Sequence, residues 1–285
     1  MKFTKMQGCG NDYVYVNGFA ENIKNKAEFA VEVSDRHFGI GSDGVIFINP
    51  SENADFEMEM YNADGSRAEM CGNGIRCVGK YVYDNGLTDR TSISVESFGR
   101  PRYLDLILQD GKVKEVSVNM GEPELRPDQI PVVSDRETVV NEEITVNGNT
   151  YRMTCVSMGN PHAVVFVEDV EHFPVAEIGP FFENHILFPK RTNTEFVEIL
   201  DRKNVKMRVW ERGTGETLAC GTGCCATVTA CILNGYTENE VTVQVLGGEI
   251  RVAWNRENGR IQMTGPAETV FTGEFAWEEK ESKNI

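Results

Sequence analysis

Cys-Gly-x-Gly is written twice in this chain, at Cys71 and at Cys220, and each copy opens a helix-like run that closes on Asn-Gly. The cysteines are 220 − 71 = 149 positions apart. The same offset carries Gly72 to Gly221, Gly74 to Gly223, Asn85-Gly86 to Asn234-Gly235, Gly10-Asn11 to Gly159-Asn160 and Gly99 to Gly248. Tyr61-Asn62 falls on Trp210-Glu211, an aromatic followed by a polar group in both copies. One tetrapeptide recurs by chance; several glycines and asparagines in one register do not. The period is too long for a solenoid, and 285 residues leave room for two domains, each with its own core. Prolines and charges cluster between Met120 and Asp135 and mark the boundary. The expected domains are therefore 1–119 and 120–265.

Between the repeated motifs the pattern is strand-rich. "DYVYV", "GVIFI", "DFEMEMYN", "SISVES" and "YLDLIL" in the first half have counterparts "HAVVFV", "TEFVEI", "VKMRVWE", "EVTVQVL" and "EIRVAW" in the second. The run after Cys220, "GCCATVTACILNG", is small and apolar almost all round, which is the signature of a helix buried on every side. A sheet wrapped around it buries it most simply, and Asn-Gly supplies the left-handed stop. A further helix is expected in "ENIKNKAEFAVEVSDRHFG", with Ile23, Ala27, Ala30 and Val31 on its apolar face. The fold class is α+β, with two pseudo-symmetric domains from an internal duplication.

Charge and cysteine usage exclude several functions. The formal net charge of −16 repels phosphate backbones and disfavours a nucleic-acid partner. No apolar run is long enough to span a bilayer, and the N-terminus lacks a secretory apolar region, so a cytoplasmic protein with no membrane partner is expected. In that setting the eight cysteines read as thiols rather than as a disulfide framework. Their spacings, C-x5-C and C-x3-C-C-x5-C, match no usual zinc pattern, so no metal is expected. No Walker A sequence is present, and no G-x-G-x-x-G follows a strand, so no cofactor is expected. Cys77, Cys224, Cys225 and Cys231 fall inside the helices and read as small core residues.

Cys71 and Cys220 stand apart. Each precedes a helix whose first N–H groups and positive dipole end point back at the turn. That setting is expected to lower a thiol's pKa and to hold a carboxylate. Two such ends facing each other suit one task. One thiolate takes a proton from carbon, the other thiol returns one to the opposite face, and the stereocentre inverts. The N–H groups stabilise the charge that spreads onto the substrate carboxylate.

Together, "GNDYV", "GIGSDGV", "YNADGSRAEMCGNGIRC", "MGNPHAV", "RTNTEFV", "VWERGTGETLACGTG" and "GGE" resemble the diaminopimelate epimerase family over nearly the whole chain, from Lys5 to Phe275. The resemblance implies conversion of LL-2,6-diaminoheptanedioate to the meso form, in lysine and cell-wall precursor synthesis, without pyridoxal phosphate. It implies Cys71 and Cys220 as base and acid, exchanging roles with direction. It implies two domains, each a mixed β-sheet rolled around a central helix, the first completed by residues 266–285, and a homodimer. His162 and Glu211 are implied as supporting residues. Asn11, Asn62, Gly72, Asn73, Asn160, Asn193, Glu211, Arg212, Gly221 and Thr222 are implied as substrate-binding. That set suits a substrate with an ammonium and a carboxylate at each end: Arg212 can grip a carboxylate, Glu211 an ammonium, and the asparagines offer both donors and acceptors. Two positions depart from the family pattern. Gly44 stands where many relatives carry Gln, and Phe271 where many carry Tyr.

Proline and hydroxyproline racemases share the two-thiol logic. They usually carry His after the first Cys-Gly, where this chain has Asn73, and their substrates need no distal Arg212. A thiol redox or metal-binding protein is the alternative outside catalysis, and the cysteine spacing argues against it.

Overall fold

A computed structural model describes residues 1–68 and 71–278 of the chain. The polar tail beyond Glu278 lies outside the described residues. The strands of the first half are β1 (Lys2–Gly8), β2 (Asn11–Asn17), β3 (Gly44–Asn49), β4 (Phe56–Asn62), β5 (Arg67–Ala68), β6 (Ser92–Ser97), β7 (Arg100–Gln109) and β8 (Lys112–Gly121). Those of the second are β9 (Glu142–Val146), β10 (Asn149–Ser157), β11 (Pro161–Phe166), β12 (Asn193–Ile199), β13 (Asn204–Glu211), β14 (Gly215–Thr217), β15 (Glu240–Val245) and β16 (Gly248–Trp254). Two more, β17 (Ile261–Pro266) and β18 (Glu268–Glu274), follow. The helices are α1 (Lys26–Ser34), α2 (Gly72–Asp84), α3 (Val175–Glu183) and α4 (Gly221–Leu233). None of the described helices is long and apolar enough to cross a membrane.

The chain forms two compact units, Met1–Ser117 with the segment from Pro266, and Val118–Gly265. In the first, the strand order is β18-β1-β2-β3-β4-β6-β7, with β2–β3 and β4–β6 parallel and the other neighbours antiparallel. In the second it is β9-β10-β11-β12-β13-β15-β16, with β11–β12 and β13–β15 parallel. The two mixed sheets share one plan. In each, the helix that follows Cys-Gly-x-Gly is wrapped by strands: α2 packs on β1, β2, β6, β7 and β18, and α4 on β10, β11, β12, β13, β15 and β16. The outer helix packs on the other face, α1 against β3 and β4, α3 against β9, β12, β13 and β14.

Strand alternation sorts the side chains between the two faces. In β2 and β3, Val14, Val16, Val45 and Phe47 join the α1 cluster with Phe29 and Val33. Tyr13, Tyr15, Gly44 and Ile46 then face α2, and the Tyr15 hydroxyl donates to the Gly74 carbonyl at 3.1 Å. In β11 and β12, Ala163, Val165 and Phe196 join the α3 cluster with Phe182. His162, Val164, Asn193 and Glu195 are left on the α4 side.

The offset of 149 runs through all four helices, since 26 + 149 = 175 and 72 + 149 = 221. Three details add to or correct the sequence reading. First, α3 is a helix although Pro180 lies inside it. Its Gly179 lets Trp210 come so close that an added Cβ would stand 2.4 Å from the indole. Second, α1 starts after Asn25, whose side chain caps it by accepting from the Glu28 N–H, so Ile23 precedes the helix. Its buried face is Phe29, Ala30 and Val33, while Val31 is exposed. Third, Glu240 follows Leu233 by seven positions where Ser92 follows Asp84 by eight (240 − 233 = 7; 92 − 84 = 8). The turn Phe98-Gly99 is therefore matched by Leu246-Gly247, and Gly248 already begins β16.

Candidate active site

Cys71 and Cys220 are the N-caps of α2 and α4. Both have extended backbones, and each sulfur accepts a helix N–H: Gly74 N to Cys71 Sγ at 3.2 Å, Gly223 N to Cys220 Sγ at 3.4 Å. A thiol here does what Ser or Thr does at an ordinary N-cap. The glycine three residues on is required by space. An added Cβ at Gly74 would lie 2.8 Å from Ile46, and at Gly223 2.7 Å from Glu195 Oε1. The eight cysteines form no disulfide; Cys71 is half-buried and the others are buried.

Around Cys71 the first unit places Asn11, whose Oδ1 accepts from the thiol at 3.1 Å. Asp43 fixes that amide: Asn11 Nδ2 donates to Asp43 Oδ2 at 2.8 Å, and the Asp12 N–H donates to the same oxygen. The other Asp43 oxygen is held by Arg36 at 2.9 Å. Tyr13 lies against both Asn11 and Cys71, and burial first, then the Cys71 charge, raise its phenol above the ordinary range. Asn62 donates to Ser66 Oγ at 3.0 Å, and Gly72 and the buried Asn73 open α2.

Gly44 accepts no side chain. A Cβ there would sit 2.1 Å from the Tyr61 carbonyl and 3.0 Å from the Tyr13 ring.

Around Cys220 the second unit builds a longer network. Glu195 Oε1 and His162 Nδ1 are 2.7 Å apart, His162 Nε2 and Asn160 Oδ1 3.0 Å, and Asn160 Nδ2 donates to Thr222 Oγ1 at 3.2 Å. Thr222 Oγ1 then lies 3.4 Å from Cys220 Sγ. His162 thus meets the thiol through Asn160 and Thr222 rather than directly.

Glu211 is half-buried beside the same sulfur and accepts from the Thr217 hydroxyl. Burial pushes its carboxyl above the usual range, while Thr217 and His162 pull it down. The Cys220 thiol is pushed well above its ordinary range by burial first, then by the Glu211 and Glu195 carboxylates. Only Thr222 and the Gly223 N–H act the other way. This overturns the expectation of a thiol lowered by its helix. The dipole and N–H contact are present, but desolvation and two carboxylates outweigh them.

Asn193 spends its amide within the protein, donating to the Pro161 carbonyl and accepting from the Arg212 N–H, both at 2.9 Å. It therefore shapes the turn that carries Arg212, whose guanidinium donates to the Lys190 carbonyl at 3.0 Å. The buried Glu183 anchors the same turn. It accepts from Trp210 Nε1 at 2.7 Å, from Gly213 N at 2.9 Å and from Arg191 at 2.8 Å.

Asp43, Tyr13, Glu195 and Glu183 were not singled out in the sequence. Asp43 and Glu195 do stand inside motifs, "GSDGV" and "RTNTEFV", and Tyr13 is the residue that the offset places opposite His162 (13 + 149 = 162). Among the described residues no group of three or more His, Cys, Asp or Glu side chains is placed to hold a metal ion.

Comparison with known proteins gives the arrangement its context. The family model described as diaminopimelate epimerase matches residues 3–126 and 154–270. The chain belongs to the diaminopimelate epimerase family. A diaminopimelate epimerase of Agathobacter rectalis is 60% identical over 282 residues, covering 96% of this chain and 99% of the relative. One from Acetivibrio thermocellus is 58% identical over 274 residues, covering 96% and 98%. Among solved structures, a probable proline racemase from Agrobacterium radiobacter with bound carbonate superposes with a TM-score of 0.70 at 13% identity, covering 99% of this chain and 94% of that one. A PhzF-family phenazine biosynthesis protein from Bacillus anthracis does so at 0.69 and 15%, covering 97% and 99%. At those identities the likeness is one of fold, and diaminopimelate epimerases share that fold with other enzymes.

Proposed function

We propose that the chain, an isomerase of the diaminopimelate epimerase family, inverts one α-carbon of LL-2,6-diaminoheptanedioate to give the meso form, with Cys71 and Cys220 as its acid–base pair. One thiolate removes the α-proton and the other thiol delivers a proton to the opposite face, with roles exchanged in the reverse direction. The single observation that carries this reading is the matched pair of thiol N-caps, each accepting one first-turn N–H of its helix, from Gly74 and from Gly223. The other first-turn N–H groups stabilise charge that develops on the substrate carboxylate as the α-proton leaves.

The neighbours fit the two roles. Cys71 sits against Asn11, and Cys220 against Glu211, a half-buried carboxylate able to take the thiol's proton. Arg212 is placed on an anchored turn, as a residue that grips the distal carboxylate must be. Asn62, Asn73, Asn160, Thr222 and the backbone of Gly72 and Gly221 supply the remaining polar contacts, while Asn193 acts through the turn that carries Arg212. The enzyme acts without a cofactor, in the cytoplasm, as a homodimer.

The test is incubation of the purified protein with LL-diaminopimelate in heavy water with no cofactor added. Deuterium entering the α-carbon together with meso product is the expected result. Product free of solvent deuterium, or turnover of proline instead, would refute the reading. Sedimentation velocity checks the dimer.

A further inference from the structure

Arg76 is a fully buried guanidinium at the end of the first turn of α2. Its Nε donates to the Pro266 carbonyl at 3.1 Å and its Nη1 to the Gly72 carbonyl at 3.2 Å, while Nη2 lies 3.8 Å from Cys9 Sγ. These acceptors answer its hydrogen bonds but not its charge. Among the described residues no carboxylate forms an ion pair with it. Glu268, which also acts on Cys9, is exposed and accepts from Gln7 at 3.1 Å. An arginine stays charged wherever it is placed, so this charge is held at a cost. The second unit shows that packing does not require it. The offset places Cys225, a buried thiol, at the equivalent position (76 + 149 = 225).

The charge sits where α2 begins. Gly72, whose carbonyl it holds, follows Cys71 directly. An added Cβ at Gly8 would stand 3.1 Å from Nη2 and 3.2 Å from the Asn73 carbonyl oxygen, so the guanidinium lies along the first turn. The other described titratable groups facing Cys71 are neutral or paired. Tyr13, Tyr15 and Cys77 are each raised mainly by burial, Cys77 to about 11, and keep their protons at neutral pH. Asp43, behind Asn11, is paired with Arg36, and Asp12 with Arg36 and Lys5. Cys220 has opposite surroundings, with the Glu211 and Glu195 carboxylates beside it and no cation in the place of Arg76.

We propose that Arg76 is a positioning residue for the epimerisation that acts through its charge: it stabilises the negative charge that gathers at the first turn of α2, on the Cys71 sulfur and on the substrate carboxylate. This deepens the function proposed above and rests on Cys71 being one of its acid–base groups. A buried charge is screened little by solvent, and its position is fixed by three contacts before the reaction starts, so no reorganisation is needed as the α-proton leaves. The duplication then gives one thiol a cation and the other two carboxylates on the same frame.

The test uses the full chain, with iodoacetamide and peptide mass spectrometry reading the pH profile of each thiol. Arg76→Met moves the Cys71 profile upward by about one pH unit and leaves that of Cys220 in place. It lowers kcat/KM for diaminopimelate at least about 10-fold. Arg76→Lys disturbs the same hydrogen bonds but keeps the charge, so its Cys71 profile stays in place. Cys9 offers a second route. Its φ of 51° is a backbone that Asp and Asn adopt readily. Cys9→Asp pairs with Arg76, cancels its charge without removing its hydrogen bonds and moves the Cys71 profile upward, whereas Cys9→Asn does not. An unchanged Cys71 profile in Arg76→Met overturns the proposal, as does one in Cys9→Asp where Arg76→Met does not fold. An equal upward shift in Arg76→Lys also overturns it, by placing the effect in the hydrogen bonds. Normal turnover by Cys71→Ala overturns the acid–base assignment instead, and the alkylation profiles, which need no turnover, separate that failure from this one.

Discussion

Tyr13 and His162 occupy the same place in the two units. Tyr13 pairs across a parallel ladder with Gly44, and His162 with Asn193, each 31 positions further on (44 − 13 = 31; 193 − 162 = 31). Both side chains face the helix that a cysteine caps. The duplication therefore preserved the frame and changed its chemistry. A phenol against Cys71 and an imidazole wired to Cys220 give two thiols on one scaffold different surroundings, as a reaction with two distinct proton transfers uses.

On the proposed mechanism, replacing either thiol removes an acid–base group without removing its helix. Cys71→Ala and Cys220→Ala are each expected to lower kcat at least 100-fold. The lost N-cap contact costs only about 0.5–1 kcal/mol of stability. Coupled turnover assays beside thermal melts check both halves. Near-normal turnover by either variant contradicts the assignment, and unfolding of a variant contradicts the modest role given to its cap.

Native alkylation separates the thiols by pH. Raising a thiol's pKa lowers its thiolate fraction at any fixed pH, and thiolate is the reacting form. Cys220 is raised by burial and two carboxylates, Cys77 to about 11 and Cys231 to about 12 by burial, and Cys155 by burial and Glu195. Iodoacetamide at about pH 8 is therefore expected to label the half-buried Cys71 first, with Cys220 following only as pH rises beyond the ordinary thiol range. Peptide mass spectrometry reads the order. Equal early labelling of Cys220 would contradict a thiol raised by burial and its neighbouring carboxylates.

Gly44 tests how far the local backbone tolerates a side chain. The Tyr61 carbonyl 2.1 Å from the would-be Cβ is main chain and cannot swing aside. Gly44→Ala and Gly44→Gln are expected to destabilise the protein by about 1–3 kcal/mol. A urea midpoint equal to that of the unmodified protein would show that β3 and β4 shift freely at this point.

With Arg212 gripping the substrate as proposed, Glu183 acts on binding from a distance, through the turn it anchors. Glu183→Ala leaves the Trp210 indole N–H and the Gly213 N–H without their acceptor, at a cost of about 1–3 kcal/mol for each group that stays buried. The turn that carries Arg212 loosens, so KM for diaminopimelate is expected to rise about tenfold with a smaller change in kcat. A fall in kcat at constant KM would place Glu183 in the chemical step instead.

Much of the frame was legible in the chain. Glycine and asparagine mark turns and helix ends through backbone constraints that no distant contact changes, so the 149-residue register survives in the sequence. The helix after Cys220 was readable because an all-apolar helix of small residues has no solvent face to offer. The outer helix α3 was not, because Pro180 and Gly179 obscure it and only the packing of Trp210 on Gly179 explains the glycine. The α1 face was misjudged because its capping residue Asn25, not its hydrophobic spacing, sets where the helix begins.

The sequence by itself determined that one fold is used twice and that each copy presents a thiol at the start of a buried helix, because these depend on local backbone preference and on order along the chain. Only the tertiary structure decided how each thiol behaves. Asp43 turns the Asn11 amide toward Cys71, and Glu195, His162, Asn160 and Thr222 link in series to Cys220, across strands and helix ends far apart in sequence. Proton affinity follows from desolvation and from charges a few ångströms away, and those distances exist only once the chain has folded.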